Sequence, residues 1–199
     1  MLGVVEFRAE VYGNEVAGIL VARGGGNREM PLTRSGCVAE AAREALRAKT
    51  AQWLFPHSRT PEAALSGLYL YLGCWDEAHA HSGAAESPEN YFWHAIVHRQ
   101  EPDAWNSGYW FRKTGAHPVF PRLADEAERA GYPAPHPWDP LAFVDYCETA
   151  RRRRHRAEKE RPEKEHLQEE RSGEERLARR VQLIEWQLLF DYSARESRH

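Results

Sequence analysis

The sequence predicts a mainly α-helical fold, a single domain built around a central antiparallel helix pair. Three observations carry that expectation. Two stretches open on the same start signal, Thr60-Pro61-Glu62 and Ser87-Pro88-Glu89: a hydroxyl that can cap, proline at the first helical position and an acid in the first turn. The run from Leu65 to Trp75 is apolar on nearly every side, the signature of a helix enclosed by others. The segment "CVAEAAREALRAKTAQWLF" (37–55) is rich in alanine, leucine and arginine, which lose least on entering a helix. At 199 residues, 42% of them hydrophobic, the chain can bury one core.

Taken in order, residues 1–36 form a variable N-terminal segment and loop. "GVVEFRAEV" partly alternates and "YGNE" suits a tight turn, so two short strands in a β-hairpin are one reading of residues 3–22. "GGGNREMPLTRSG" (24–36) reads as a flexible loop; it lacks the Lys-Ser/Thr ending of a phosphate-cradling loop. The helical core spans 37–150. Within it the first central helix covers 61–81 and closes at Gly83, and the second covers 88–101. "DAWNSGYWFRKTG" and "FPRLADEAERAG" give two shorter helices, and the proline-rich joint "YPAPHPWDP" leads into "DPLAFVDYCETARRRRHR". Residues 151–180 are a charge run, expected as a solvated excursion that Pro162 and Ser172-Gly173 interrupt. Residues 181–199 hold a last helix, with Val181, Ile184 and Leu188 on an apolar face that must dock on the core.

Composition narrows the function classes. The net charge of −3 gives no whole-chain argument for nucleic acid, and the acids that alternate with bases after Glu158 make the arginine run 151–154 a poor phosphate grip. No stretch approaches the roughly 20 apolar residues of a membrane span, and no charged leader with an apolar run opens the chain. The expectation is a cytoplasmic protein with a small-molecule ligand. Cys37, Cys74 and Cys147 are odd in number and far apart, so they read as three reduced, buried thiols.

Residues 91–118 are where chemistry would sit. On a helix that advances about 100° per residue, His98 lies about 40° from His94 and Glu101 about 20° to its other side. Tyr91 joins the same stripe, while Phe92, Trp93, Ile96 and Val97 flank it. Two imidazoles four apart and a carboxylate suit a first-row divalent metal such as zinc, manganese or iron. "HAIVH" lacks the glutamate of the HExxH proteases, which excludes that mechanism. The preceding helix ends in "WDEAHAH". Antiparallel packing across the short connection 82–87 should bring His79, with Asp76 nearby, to the level of His94. Asp103, Asn106 and Tyr109 to Arg112 could fold back as a cap, and His117 follows. His79, His94, His98 and His117 are the candidate metal ligands, and Asp76, Glu101 and Arg112 the candidate catalytic groups. In that scheme a metal-held water attacks, an acid is the base and Arg112 faces an anionic substrate group. Arg99 reads as surface or salt-bridged, and Trp105, Tyr109, Trp110 and Phe111 as core.

The run from Asp76 to His79, with Trp93 to Ile96, His98, Arg99, Glu101, Asp103, Asn106, Tyr109 to Arg112, and Gly115, His117 and Pro118, resembles a family of uncharacterised helical proteins of bacteria and fungi. Those proteins carry the pattern Trp-His-Ala-Ile-x-His-Arg-x-Glu, then Asp, Asn, Tyr-Trp-Phe-Arg and Gly-x-His-Pro. The resemblance covers about a quarter of the chain. It implies a helical fold and no particular reaction.

Two functions of different class follow. One is a metal-dependent enzyme or small-ligand binder with a cleft lined by the histidines and acids named above. The other is a non-catalytic helical interaction module in which the same stripe is a hydrogen-bonded seam between helices.

Overall fold

A computed structural model of the protein describes the backbone of residues 5–159 and 165–195. The described residues form ten α-helices and one 3-10 helix, with no strand. The fold is all-α, and no described helix is long and apolar enough to cross a membrane.

The N-terminal hairpin reading is corrected. A 3-10 helix (Ala9–Tyr12) and α1 (Asn14–Val21) stand there, hinged at Gly13. Val5, Ala9, Tyr12, Val16 and Leu20 are buried, a spacing of three or four residues that serves a helix and not a strand. Beyond the turn Gly24–Gly26, Met30 and Leu32 are also buried. The expected flexible loop is therefore packed down over the core. The short helices α2 (Glu40–Arg47) and α3 (Ala51–Leu54) follow, the latter capped by the Thr50 hydroxyl, which accepts from the Trp53 N–H.

The expected continuous helix 61–81 is two helices. α4 (Pro61–Tyr71) is buried at every position from Ala63 to Tyr71, and α5 (Trp75–Ser82) restarts after Cys74. The break is a glycine-terminated turn. The Gly73 N–H donates to Leu70 O and the Cys74 N–H to Tyr69 O, the pair of bonds that satisfies a helix C-terminus when the next residue is left-handed. Gly73 has φ 75°, and a Cβ there would lie 2.9 Å from Gly36 O, so glycine is required on both counts.

α6 (Pro88–Gln100) starts at Ser87, whose hydroxyl accepts from the Asn90 N–H, and α7 (Ala104–Thr114) at Asp103, whose carboxylate caps the Asn106 N–H. α8 (Phe120–Arg129), α9 (Pro140–Lys159) and α10 (Glu165–Ala194) complete the chain. Ser172 and Gly173 lie inside α10 and do not interrupt it; Pro162 lies outside the described residues. The last helix packs into the core along its second half. All ten residues from Val181 to Phe190 are buried, and polar ones among them are answered across the molecule. Gln182 donates to Pro31 O at 3.1 Å, Trp186 Nε1 to Gly67 O at 2.8 Å and Gln187 to Gly26 O at 2.9 Å. Glu185, fully enclosed, pairs with Arg99 of α6, which is 1% exposed.

The three-thiol reading is corrected as well. Cys37 and Cys74 form a disulfide, and Cys147 alone is free. The Val38 N–H donates to Leu72 O at 3.2 Å, which holds the loop before α2 against the α4–α5 break and brings the two sulfurs together.

Candidate metal centre

α5 and α6 run past one another, and Asn90 Nδ2 donates to His81 O at 3.0 Å to pin the end of one to the start of the other. Ser66 Oγ of α4 donates to Ala78 O at 2.8 Å and fixes the middle of α5. This places His79 of α5 opposite His94 and His98, one turn apart on α6. His79 Nε2 and His94 Nε2 are 3.1 Å apart. One ligand-capable nitrogen from each of the three rings lies within 4.8 Å of the others. The His94 and His98 rings are stacked, 4.9 Å between centroids, and His79 meets both edge-on at 4.7 and 5.1 Å.

Tryptophans brace two of the rings. Trp75 lies flat on His79, 5.0 Å between centroids, and Trp110 of α7 lies flat on His94 at 4.0 Å. Each indole carries a cation as well: the Arg34 guanidinium is 4.4 Å from the Trp75 ring and the Lys113 ammonium 4.9 Å from that of Trp110. His98 is held from its other side. Its Nδ1 is 3.1 Å from Glu101 Oε2, and Asn106 Nδ2 of α7 lies 3.2 Å from its Nε2. Asp103 joins His98 and Glu101 in a second group of donors within 4.8 Å.

The electrostatics favour uncharged rings. Burial pushes the His94 imidazole down to about 4, helped by the charges that His79 and His98 would carry. His79 is lowered for the same reasons, burial first and His98 second. Two neutral rings whose Nε2 atoms face each other at 3.1 Å either share one ring proton or direct both lone pairs at a third body. Neutral imidazoles are the form that binds metals, and three of them with a water are a known catalytic zinc donor set. A carboxylate on the remaining nitrogen of a ligating ring is the usual outer partner, and Glu101 occupies that place on His98.

Of the residues the sequence singled out, His79, His94, His98 and Glu101 come together, and Asn106 folds over them as expected. Three do not join. Asp76 is exposed and pairs with Arg34 at 2.7 Å. Arg112 is exposed and lies along Gly108; two residues after Trp110, it is turned about 200° away from the face that Trp110 presents. His117 is buried among Phe92, Phe120 and Tyr192, where its Nδ1 accepts from the Val119 N–H at 3.2 Å and Glu89 stands 3.9 Å off. Burial pushes its pKa down to about 4.

Trp75 and Lys113 are the site residues that sequence reasoning missed, and Trp110, though inside the segment expected to fold back as a cap, was read as core. The signal was spacing: Trp75 precedes His79 by four residues, so the two share a helix face, and Lys113 follows Trp110 by three. The aromatic run was expected as core, yet only Phe111 is fully so; Trp105 is 77% and Tyr109 40% exposed. No protein-family model, curated protein or solved structure matches the chain.

Proposed function

We propose that the protein holds one divalent first-row metal ion, zinc, manganese or iron, on His79, His94 and His98, and uses it on a small-molecule ligand. The observation that carries this is the convergence of three imidazoles within 4.8 Å, with the Nε2 atoms of His79 and His94 3.1 Å apart and burial keeping His94 neutral. An ion on three neutral nitrogens keeps positions open and supplies Lewis acidity and a water of lowered pKa. The chain's own groups do the rest. Glu101 accepts from His98 Nδ1, fixes that ring's tautomer and, being 40% exposed on its side chain, stands at the wet edge where a base is needed. Lys113 and Arg34, and not Arg112, are the cations beside the centre that an anionic substrate group would meet.

The alternative is a non-catalytic interaction module in which the stripe is a structural seam. It draws support from the stacking of Trp75 and Trp110 and from the Asn106 contact to His98, which a seam would also use. Metal content separates the two. Untagged protein purified without chelator is expected to carry about one metal per chain by elemental mass spectrometry, lost in a folded His94→Ala/His98→Ala variant. Wild type that stays metal-free after zinc, manganese and iron are offered would overturn the metal reading. A variant melting far below it would then favour the seam, because orphaned buried partners cost about 1–3 kcal/mol each.

A further inference from the structure

The metal centre draws its ligands from two helices, and what fixes one against the other sets the spacing of the nitrogens. His94 and His98 ride on α6, which is buried along its length from Phe92 to Gln100. His79 rides on α5, a helix of eight residues. The far end of α5 is held by Asn90, and its middle by Ser66. Its first turn is held by the Trp75 bond to α6, by Glu77 with Arg47 of α2, and by the loop before α2. That loop has no regular structure from Met30 to Ser35; the Arg34 N–H donates to Gln100 O of α6 at 2.6 Å and the Arg34 side chain meets Asp76 at 2.7 Å. Its covalent hold on α5 is the bond from Cys37 to Cys74, and Cys74 is the residue on which α5 starts. Trp75 comes next in the chain and is the indole that braces His79, with its own Nε1 donating to Val97 O of α6 at 3.1 Å.

The geometry points to a redox clamp on this centre: the Cys37–Cys74 disulfide holds the first turn of α5, and with it Trp75 and His79, in register with α6, and reduction of that bond weakens metal binding. The inference rests on the metal reading above. The disulfide is reachable, since a polar cleft of about 280 Å³ opens on both cysteines, with Arg34, Arg43 and Asp76 around it. Cys37 is half-buried, whereas Cys74 is 1% exposed, so a thiolate of an external dithiol attacks Cys37 Sγ. The S–S electron pair leaves on Cys74 Sγ, which takes up a proton. The dithiol's second sulfur then displaces Cys37 from the mixed disulfide. Two protein thiols result, each having taken a proton, and the dithiol ends as its own disulfide. Cys147 takes no part, because burial pushes its thiol up to about 11 and away from the reactive form. In reducing compartments, disulfides that do form are characteristically transient and redox-sensing.

The test compares wild type as purified under air with wild type reduced by a phosphine and desalted anaerobically, each titrated with zinc against a chromophoric chelator. The reduced protein is expected to bind zinc about 10-fold to 100-fold more weakly, the range seen when an outer support of a metal site is lost. Cys37→Ser/Cys74→Ser should bind like the reduced form with or without phosphine. Hydrogen exchange on metal-free wild type gives a readout independent of zinc: amides of residues 75–82 should exchange faster after reduction while those of α6 stay unchanged. Equal zinc affinity in the two states overturns the clamp and leaves the metal reading standing. Zinc binding in neither state removes both. Three free thiols in air-purified protein, or unchanged exchange over 75–82, overturns the clamp whatever the zinc result.

Discussion

An arginine that is 1% exposed must find its counter-charge inside the protein, and Arg99 finds it on Glu185. Its guanidinium also lies 4.8 Å from the Phe143 ring and 3.5 Å from the Gln182 amide oxygen. Arg99→Met strands a carboxylate in the core and is expected to cost about 3–5 kcal/mol by urea unfolding, while Arg99→Met with Glu185→Leu should recover most of that loss. Glu101 is the opposite case. Glu101→Gln should leave the melting temperature unchanged and lower metal affinity about 10-fold by isothermal titration, since it removes the charged partner of His98 Nδ1. The helical arithmetic found His94, His98 and Glu101 because all three lie on one straight helix. Arg112 and His117 lie beyond that helix, on α7 and after it, where direction is set by packing that a one-dimensional pattern does not carry.

At the scale of the element, the crossing of α4 over α6 depends on a missing side chain. A Cβ on Gly67 would fall 2.6 Å from the Trp93 ring, and Gly67 O accepts from Trp186 Nε1. Gly67→Ala therefore loses about 1–3 kcal/mol through overpacking, more than the helix propensity of alanine returns; a raised urea midpoint would contradict this. Of the two caps the sequence offered, Ser87 accepts from the Asn90 N–H, whereas Thr60 makes no side-chain cap bond; Thr50 and Asp103, which do cap, lie outside the Pro-Glu start signal that drew attention to the other two. The end of α4 was not legible. Gly73 carries the stop signal, but the apolar run from Leu65 to Trp75 passes through it without a change of period, because both helices there are buried. The N-terminal segment misled for the converse reason: a short alternation fits a strand and a buried helical stripe alike.

For the whole molecule, two enclosed imidazoles make stability depend on pH. His94 and His117 both ionise near 4 in the fold, against an ordinary value of 6.5. Between those limits the unfolded chain binds more protons than the folded one, so stability is complete above about pH 6.5 and falls as pH drops toward 4. The loss is on the order of 3 kcal/mol per ring. Urea midpoints of chelator-treated protein from pH 7.5 to 4.5 check this, and a flat profile would show that the rings are not held neutral. The long reach of α10 bears on how quickly the chain finds this state. Tyr12 with Asp191, Gln187 with Gly26, Trp186 with Gly67 and Trp93 with Ser193 are pairs separated by 100 to 179 positions. Helical proteins owe their speed to contacts between near neighbours, and this one closes its core with distant ones. Its refolding rate should resemble that of mixed α/β domains more than that of an up-and-down bundle.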